Sequence, residues 1–540
     1  MDLNSRLGVG ATVAAQAATT GHLHKCALQS LSFAVGLMRG RQGTCVVGRS
    51  ALRMRRAQIH ETSEKAVTDG AEASGTASGS LAPSRPPAKR ILPAIHGSRL
   101  YIALSYIVFI LVAGLAANAL TAGGARAQAD WPTFGFDNQR TGFNPEERVL
   151  GPQNVRGLHL HWAVDLGGPI TAQATALSNV ATAAGSRNVI YAATLLGDVY
   201  ALDAQSSALI WHRKLRSLPT LCSDFAASGY QIGVIGTPTI DRTRNALFVV
   251  SGDGKLHSLD IGTGEEQAGW PTDFLASSDS PLFNFVYGSP TLFGSSLYLT
   301  TASACDYPPY HGQVVRVNLE SRSAAARWFV DDQIFPFGGG IWGPGGVSVE
   351  PDGSAVFAAT GNTLALFASA SARYGEHIVR LSPDLQVQAA AGPVLSGSDT
   401  DFGATPLLYQ TRGCPPQLAV MNKSGALFTY YRDLIGAGYA QRLQISNIAN
   451  SAKGDFIGLP AFDPTRNRLY VGNPADSNQG TYLHGLIALD ALPNCMLYLA
   501  WQQQVGMNAT PSQDNPAISP VVANGVVYYA EGAASQVAAF

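Results

Sequence analysis

The sequence predicts an all-β protein: a β-propeller of four-stranded blades, closed by an N-terminal strand. Three observations carry this reading. A phrase recurs as DVYALDAQSSALIW (Asp198 to Trp211), KLHSLDIGTGEEQAGW (Lys255 to Trp270) and QVVRVNLESRSAAARW (Gln313 to Trp328), with a worn copy ending at Trp501. Trp162, in LHLHWAVDL, opens the series, and the step is about 50–60 residues, the mark of a repeat architecture. Between the tryptophans lie short β-branched and aromatic runs bounded by Gly, Pro, Asn or Asp, and no run has the period of a long amphipathic helix. Charged residues are only 14% and glycines number 57, which suits buried strands and tight turns.

Each unit supplies four strands in order. The first is short with a small-residue entry, as in IGTPTID (235–241), YGSPTLF (287–293) and FGATPLLY (402–409). The second is apolar: NVIYAAT (188–194), ALFVVSG (246–252), SLYLTTA (296–302), AVFAATG (355–361), RLYVGN (468–473) and VVYYAEG (526–532). The third alternates, as in VYALD and LHSLD, and several copies end in Asp or Asn, whose side chain can hold the turn into the fourth strand. The fourth carries the Trp, expected as inter-blade core. Seven units result, spanning 168–215, 232–275, 285–333, 340–392, 401–446, 455–505 and 514–540. The last stops after its third strand, so LHLHWAVDL is expected to supply the fourth and staple the ring.

The chain ahead of the repeats divides in two. Residues 1–98 are rich in Ala, Ser, Arg and Gly without a sustained period and read as a disordered leader. Residues 99–129 place an apolar stretch, Leu100 to Leu120, after Lys89, Arg90 and Arg99 and before a small-residue ending. That is the pattern of a secretory signal cleaved after Ala129; uncleaved, residues 100–120 would be a membrane anchor. So late a signal suggests that translation begins downstream of Met1. The propeller is expected over 130–540, in the periplasm or secreted. Net charge is −1, which gives no field for nucleic acid. Export permits disulfides, and Cys222–Cys305 with Cys414–Cys495 is the expected pairing; four buried free thiols are the alternative. No CxxC, Gly-x-Ser-x-Gly elbow, P-loop or zincin motif occurs.

The phrase VYALDAxxxxLIW and the opening DWPTFGFDNQRTGFNPEERVLGPQNVRGLHLHW resemble the repeat and start of the quinoprotein alcohol dehydrogenase-like, pyrroloquinoline quinone (PQQ)-repeat propellers. The resemblance implies PQQ and calcium as cofactors. IWGPGGVSVEPDGSAVFAATGN matches the layout in which a Trp floors the quinone and an Asn binds calcium, pointing to Trp342 and Asn362. SGSDTDFGATPLLY offers Asp401 as catalytic base and metal neighbour, with Asp399 as the lesser choice; VMNKSGALFTYY offers Lys423 as the cation on the quinone oxygens. The chemistry is coherent: an indole stacks on a planar ring, amide and carboxylate oxygens suit calcium, and a carboxylate can take an alcohol proton.

Three features depart from the family. Its third-blade Glu ligand is replaced by SACDYPPYHGQVV, where Asp306 is the substitute. Its adjacent-cysteine disulfide is absent. It has eight blades, so an eighth remains open here. Two functions follow: an oxidoreductase acting on a small alcohol, polyol or polymer, or a non-catalytic cell-envelope propeller binding a protein or polymer partner.

Overall fold

The computed structural model describes residues 130–331, 337–364, 373–393, 400–447, 456–508, 519–531 and 536–540. The leader and the signal or anchor segment lie outside these residues. Among the described residues no helix is long and apolar enough to cross a membrane.

The described residues form a seven-bladed β-propeller of four-stranded sheets. Blade 1 pairs Thr175–Thr182, Gly185–Ala193, Asp198–Asp203 and Leu209–Lys214, each antiparallel to the strand before it. Blades 2 to 6 repeat this order and begin at Thr239–Asp241, Thr291–Phe293, Ser348–Val349, Leu407–Tyr409 and Ala461–Asp463. Blade 7 contains Val521–Ala523, Val526–Glu531 and Gln536–Ala539. The described residues hold seven such sheets, so the eighth blade left open by the family pattern is not seen.

The turn chemistry follows the sequence pattern. Asp203 Oδ1 accepts from the amides of Gln205 and Ser206 at 2.9 and 2.8 Å. Asp260 does the same for Gly262 and Thr263, and Asn318 for Glu320 and Ser321. The tryptophans pack between blades: the Trp211 indole donates to Ile261 O of the next blade at 3.0 Å.

A second capping device was not anticipated. The turns IDRTRN and FDPTRN, between first and second strands of blades 2 and 6, are built alike. Asp241 Oδ1 accepts from Thr243 N and Oγ1 and Arg244 N, while its Oδ2 takes Arg244 Nη1 at 2.7 Å. Asp463 repeats each contact with Thr465 and Arg466. Burial raises the Asp241 pKa, but these hydrogen bonds outweigh it and leave the group below its ordinary 3.8. A depressed carboxylate stabilises the fold above its unfolded pKa, and that contribution is lost as pH falls through the folded value. Asp241→Asn is therefore expected to cost about 2 kcal/mol at neutral pH. It should also flatten the loss of stability on acidification below the ordinary Asp value, measured by urea unfolding across pH.

The hub positions everything else. Residues 131–142 make one circuit of the axis and bond to the first strand of every blade in turn. Trp131 pairs with Ala176, Pro132 O accepts from Ile240 N, and Asn138 Nδ2 donates to Leu292 O at 2.6 Å. Val349 N then donates to Asn138 O, Leu408 N to Gln139 O, Phe462 N to Thr141 O and Val522 N to Gly142 O, all at 2.8–2.9 Å. The guanidinium of Arg140, fully buried, fills the centre. It reaches Thr133 Oγ1 (2.9 Å), Phe134 O (2.8 Å) and Thr291 Oγ1 (2.6 Å).

This circuit corrects the expected closing strand. Phe143–Asn144, at the end of the circuit, pairs parallel with Val522 and Ala523 and completes the last sheet at its inner edge. Residues 158–166 form no strand. His159 bonds Gly157 O within the segment, His161 reaches across to Gln205 O beside blade 1, and Leu160 is half exposed. Trp162 alone keeps the predicted seat. Its indole donates to Ala204 O of blade 1 at 3.1 Å, the same contact Trp211 makes one blade on. The expected disulfides, Cys222–Cys305 and Cys414–Cys495, are both formed, which removes the free-thiol alternative.

Candidate functional site

The site is assembled from connections between strands in blades 3, 4 and 5. A glycine-rich loop enters blade 4 and carries Trp342. It is stitched to the turn carrying Asn362: Gly339 N donates to Asn362 O at 2.7 Å and Gly361 N to Gly340 O at 2.8 Å. Asp401 lies on the connection from blade 4 to blade 5. Lys423 opens the turn that follows Gln417–Asn422.

These four residues meet at the Asp401 carboxylate. Oδ1 accepts the Asn362 amide at 2.6 Å, and Oδ2 accepts the Trp342 indole at 3.1 Å. Lys423 Nζ lies 3.7 Å from Oδ2 and 5.2 Å from the Trp342 ring centroid. The Lys423 amide also donates to Asp401 O at 3.0 Å. Asp401 is 4% and Lys423 7% exposed, so the pair is buried. Trp342 remains partly exposed.

Two glycines let the parts approach. A β-carbon on Gly403 would stand 2.3 Å from Trp342 Cη2, and one on Gly361 would stand 3.0 Å from Asp401 Oδ2. Bracing groups missed in the sequence lie just behind. Thr400 Oγ1 donates to Glu376 Oε1 at 2.5 Å, and Asn422 Nδ2 donates to Thr400 O at 2.8 Å. The signal that could have located Asn422 is the N-K-S-G turn itself, where its Oδ1 accepts Ser424 N.

Asp306 comes from the connection following Ser296–Thr301 in blade 3. Tyr310 Oη donates to its Oδ1 at 2.6 Å. Its surface is solvent-exposed, while the protein around it still desolvates the carboxylate. Desolvation there raises its pKa above the ordinary carboxylate value, Tyr310 opposes this, and the charges of Asp401 (raising) and Lys423 (lowering) also act on it. Asp306 therefore lies in the electrostatic reach of the Asp401 cluster, whereas Asn362 meets that cluster through its backbone amide. Asp399 lies outside the described residues. A separate grouping of Cys222, Asp224 and Cys305 has ligand atoms within 4.8 Å of one another, but its sulfurs are joined to each other and it is no metal site.

Residues 131–274 match the family model described as PQQ: Glucose/ethanol/alcohol dehydrogenase, beta-propeller domain. The match covers 144 of the 540 residues, those that open the propeller. The fold of the chain is similar to the quinohemoprotein alcohol dehydrogenase of Comamonas testosteroni, at 15% identity and a TM-score of 0.56, covering 76% of this chain and 71% of that one. It is also similar to a europium-containing methanol dehydrogenase (15%, TM-score 0.55, 76% and 84% covered). A third is quinohemoprotein alcohol dehydrogenase ADHIIG of Pseudomonas putida HK5 (15%, TM-score 0.55, 75% and 69%). No curated protein matches the chain in sequence.

The residues present fit a planar anionic quinone and a hard cation. A partly exposed indole, an ammonium group beside it and carboxylate oxygens from two blades supply stacking, positive charge and oxygen donors.

Proposed function

We propose that the protein is an exported PQQ- and calcium-dependent oxidoreductase acting on an alcohol or polyol. The supporting observation is the meeting of Trp342, Asn362 and Lys423 on one buried carboxylate, Asp401, from three separate connections. PQQ, when bound, supplies the two-electron acceptor. The Trp342 face would stack against it, and the Lys423 ammonium would stabilise negative charge on its oxygens. Asn362, Asp306 and Asp401 are the oxygen ligands offered to calcium. Asp401 Oδ2 takes the substrate hydroxyl proton; a carboxylate offers about four lone-pair sites, so its existing bonds leave capacity to accept one more. Both disulfides suit an oxidising compartment, in keeping with the signal pattern at 99–129.

One observation favours the second reading, a non-catalytic envelope propeller: both Asp401 oxygens are already engaged by the chain's own donors. Dye-linked oxidation of primary alcohols and polyols, after loading the purified protein with PQQ and calcium, separates the two. Turnover that requires both additions supports the enzyme; none, with folded protein that has taken up PQQ, supports the scaffold.

Gly403→Ala tests the floor. The added methyl has no room beside Trp342. The expected result is a displaced indole, seen in near-ultraviolet circular dichroism, and about tenfold weaker PQQ retention.

A further inference from the structure

We propose that the Cys222–Cys305 disulfide positions Asp306 at the site, so that cation-dependent quinone binding requires that bond. The inference rests on the reading of Asp306 as an oxygen ligand.

The turn that presents Asp306 is one an L-residue chain does not favour. Cys305 and Asp306 are both left-handed, each at φ 52°, and neither is glycine. Such backbone persists only where its surroundings over-determine it, and it concentrates where side chains must be aimed. The hydrogen bonds across the turn are few: Tyr307 N reaches Ala304 O at 3.4 Å, Ser303 Oγ reaches Tyr307 O at 2.8 Å, and Tyr310 Oη holds the Asp306 carboxylate.

The remaining restraint is covalent and comes from outside the blades. Between blades 1 and 2 the chain makes an excursion in which Leu218–Pro219 pairs with Gln231–Ile232. Its short helix, Ser223–Ser228, follows Cys222 directly. Cys222 is fully buried with Phe225, Ile232 and Ala304, so the anchor is rigid. From it the disulfide reaches Cys305, the residue immediately before Asp306. The excursion adds no strand to a blade; its tie to blade 3 ends at Cys305, next to the carboxylate it would aim.

The molecule contains its own control. Cys414–Cys495 closes a sequence separation of 81 residues against 83 for Cys222–Cys305, so removing either relaxes the unfolded chain equally. Cys495 lies in the turn before Leu497–Gln503, away from the residues that meet at Asp401.

The test is a mutant cycle on the full chain: D306N, C222S/C305S, and the triple variant. The reading is the calcium concentration that half-retains PQQ on gel filtration. D306N and C222S/C305S should each raise it about tenfold, the usual scale for groups that orient a ligand. The triple variant should raise it no further, because the disulfide acts through Asp306. C414S/C495S should leave it unchanged. A normal midpoint in C222S/C305S, a multiplicative triple variant, or an equal effect of C414S/C495S would overturn the proposal. If the unaltered protein retains no PQQ, the functional reading fails by itself. Positioning is then decided by hydrogen exchange of the 304–310 amides. C222S/C305S should speed it at least about tenfold, and unchanged exchange overturns it.

Discussion

Asp401→Asn is expected to lower alcohol oxidation by about a thousandfold in the PQQ-loaded protein, the contribution of a positioned general base. The substitution is nearly isosteric, so the reason is chemical. One Asp401 oxygen takes the Asn362 amide while the other faces two donors, the Trp342 indole and the Lys423 ammonium. An amide can satisfy the first only by turning its own N–H₂ toward the second pair, where three donors would then face each other. The buried Lys423 would lose the Asp401 charge 3.7 Å away, at a cost of about 3 kcal/mol. The double variant Asp401→Asn with Lys423→Met should recover stability but not activity. The urea midpoint of the double variant reads the buried-charge cost, and kcat lost in Asp401→Asn alone, folded and saturated with PQQ, assigns Asp401 to the chemistry.

Arg140→Met should produce the largest loss of stability, about 3–5 kcal/mol by urea unfolding, the scale of removing one member of a buried charged network. Arg140 stands at the centre of the hub and bonds the circuit to blade 3 through Thr291. Methionine fills the space but leaves Phe134 O and the two threonine hydroxyls with fewer partners. Burial pushes the Arg140 pKa down to about 9, and Asp137 partly opposes this. The guanidinium is thus still charged at neutral pH. For a base whose folded pKa is depressed, the penalty for burying its charge is fully present below the folded value and is relieved only as pH rises above it. The loss in Arg140→Met should therefore be constant between about pH 5 and 8. A loss that disappears within that range would contradict the assigned charge state.

The blades were legible because their signals are local. A strand of four to six residues, an Asp that ties its own turn and a Trp at fixed spacing each act within one unit, and their repetition removes ambiguity. The closing strand was not legible for the opposite reason. Trp162 carries the repeat's mark and takes the repeat's seat, yet closure is performed by Phe143–Asn144, two residues whose pairing depends on a circuit past all seven blades. No local pattern reports such a path; the buried Arg140 was its strongest trace. At the candidate site, Trp342, Asn362, Asp401 and Lys423 were marked by the resemblance of the segments that carry them to the PQQ-repeat propellers, not by any local pattern of their own. Their convergence on one carboxylate is a property of blade geometry alone. Tyr310 and Glu376 were missed because a single hydroxyl or carboxylate near a turn has no distinguishing sequence context.

The proposed function requires the Asp401 cluster to hold a planar quinone with a divalent cation. Titration of PQQ into the purified full-length protein, with and without calcium, tests it most directly through tryptophan fluorescence and the calorimetric heat of binding. The expected result is one PQQ per chain, dependence on calcium, and a loss of affinity of at least about tenfold in both Trp342→Ala and Lys423→Met. Binding that ignores calcium and survives both substitutions, or no binding by folded protein, would contradict it.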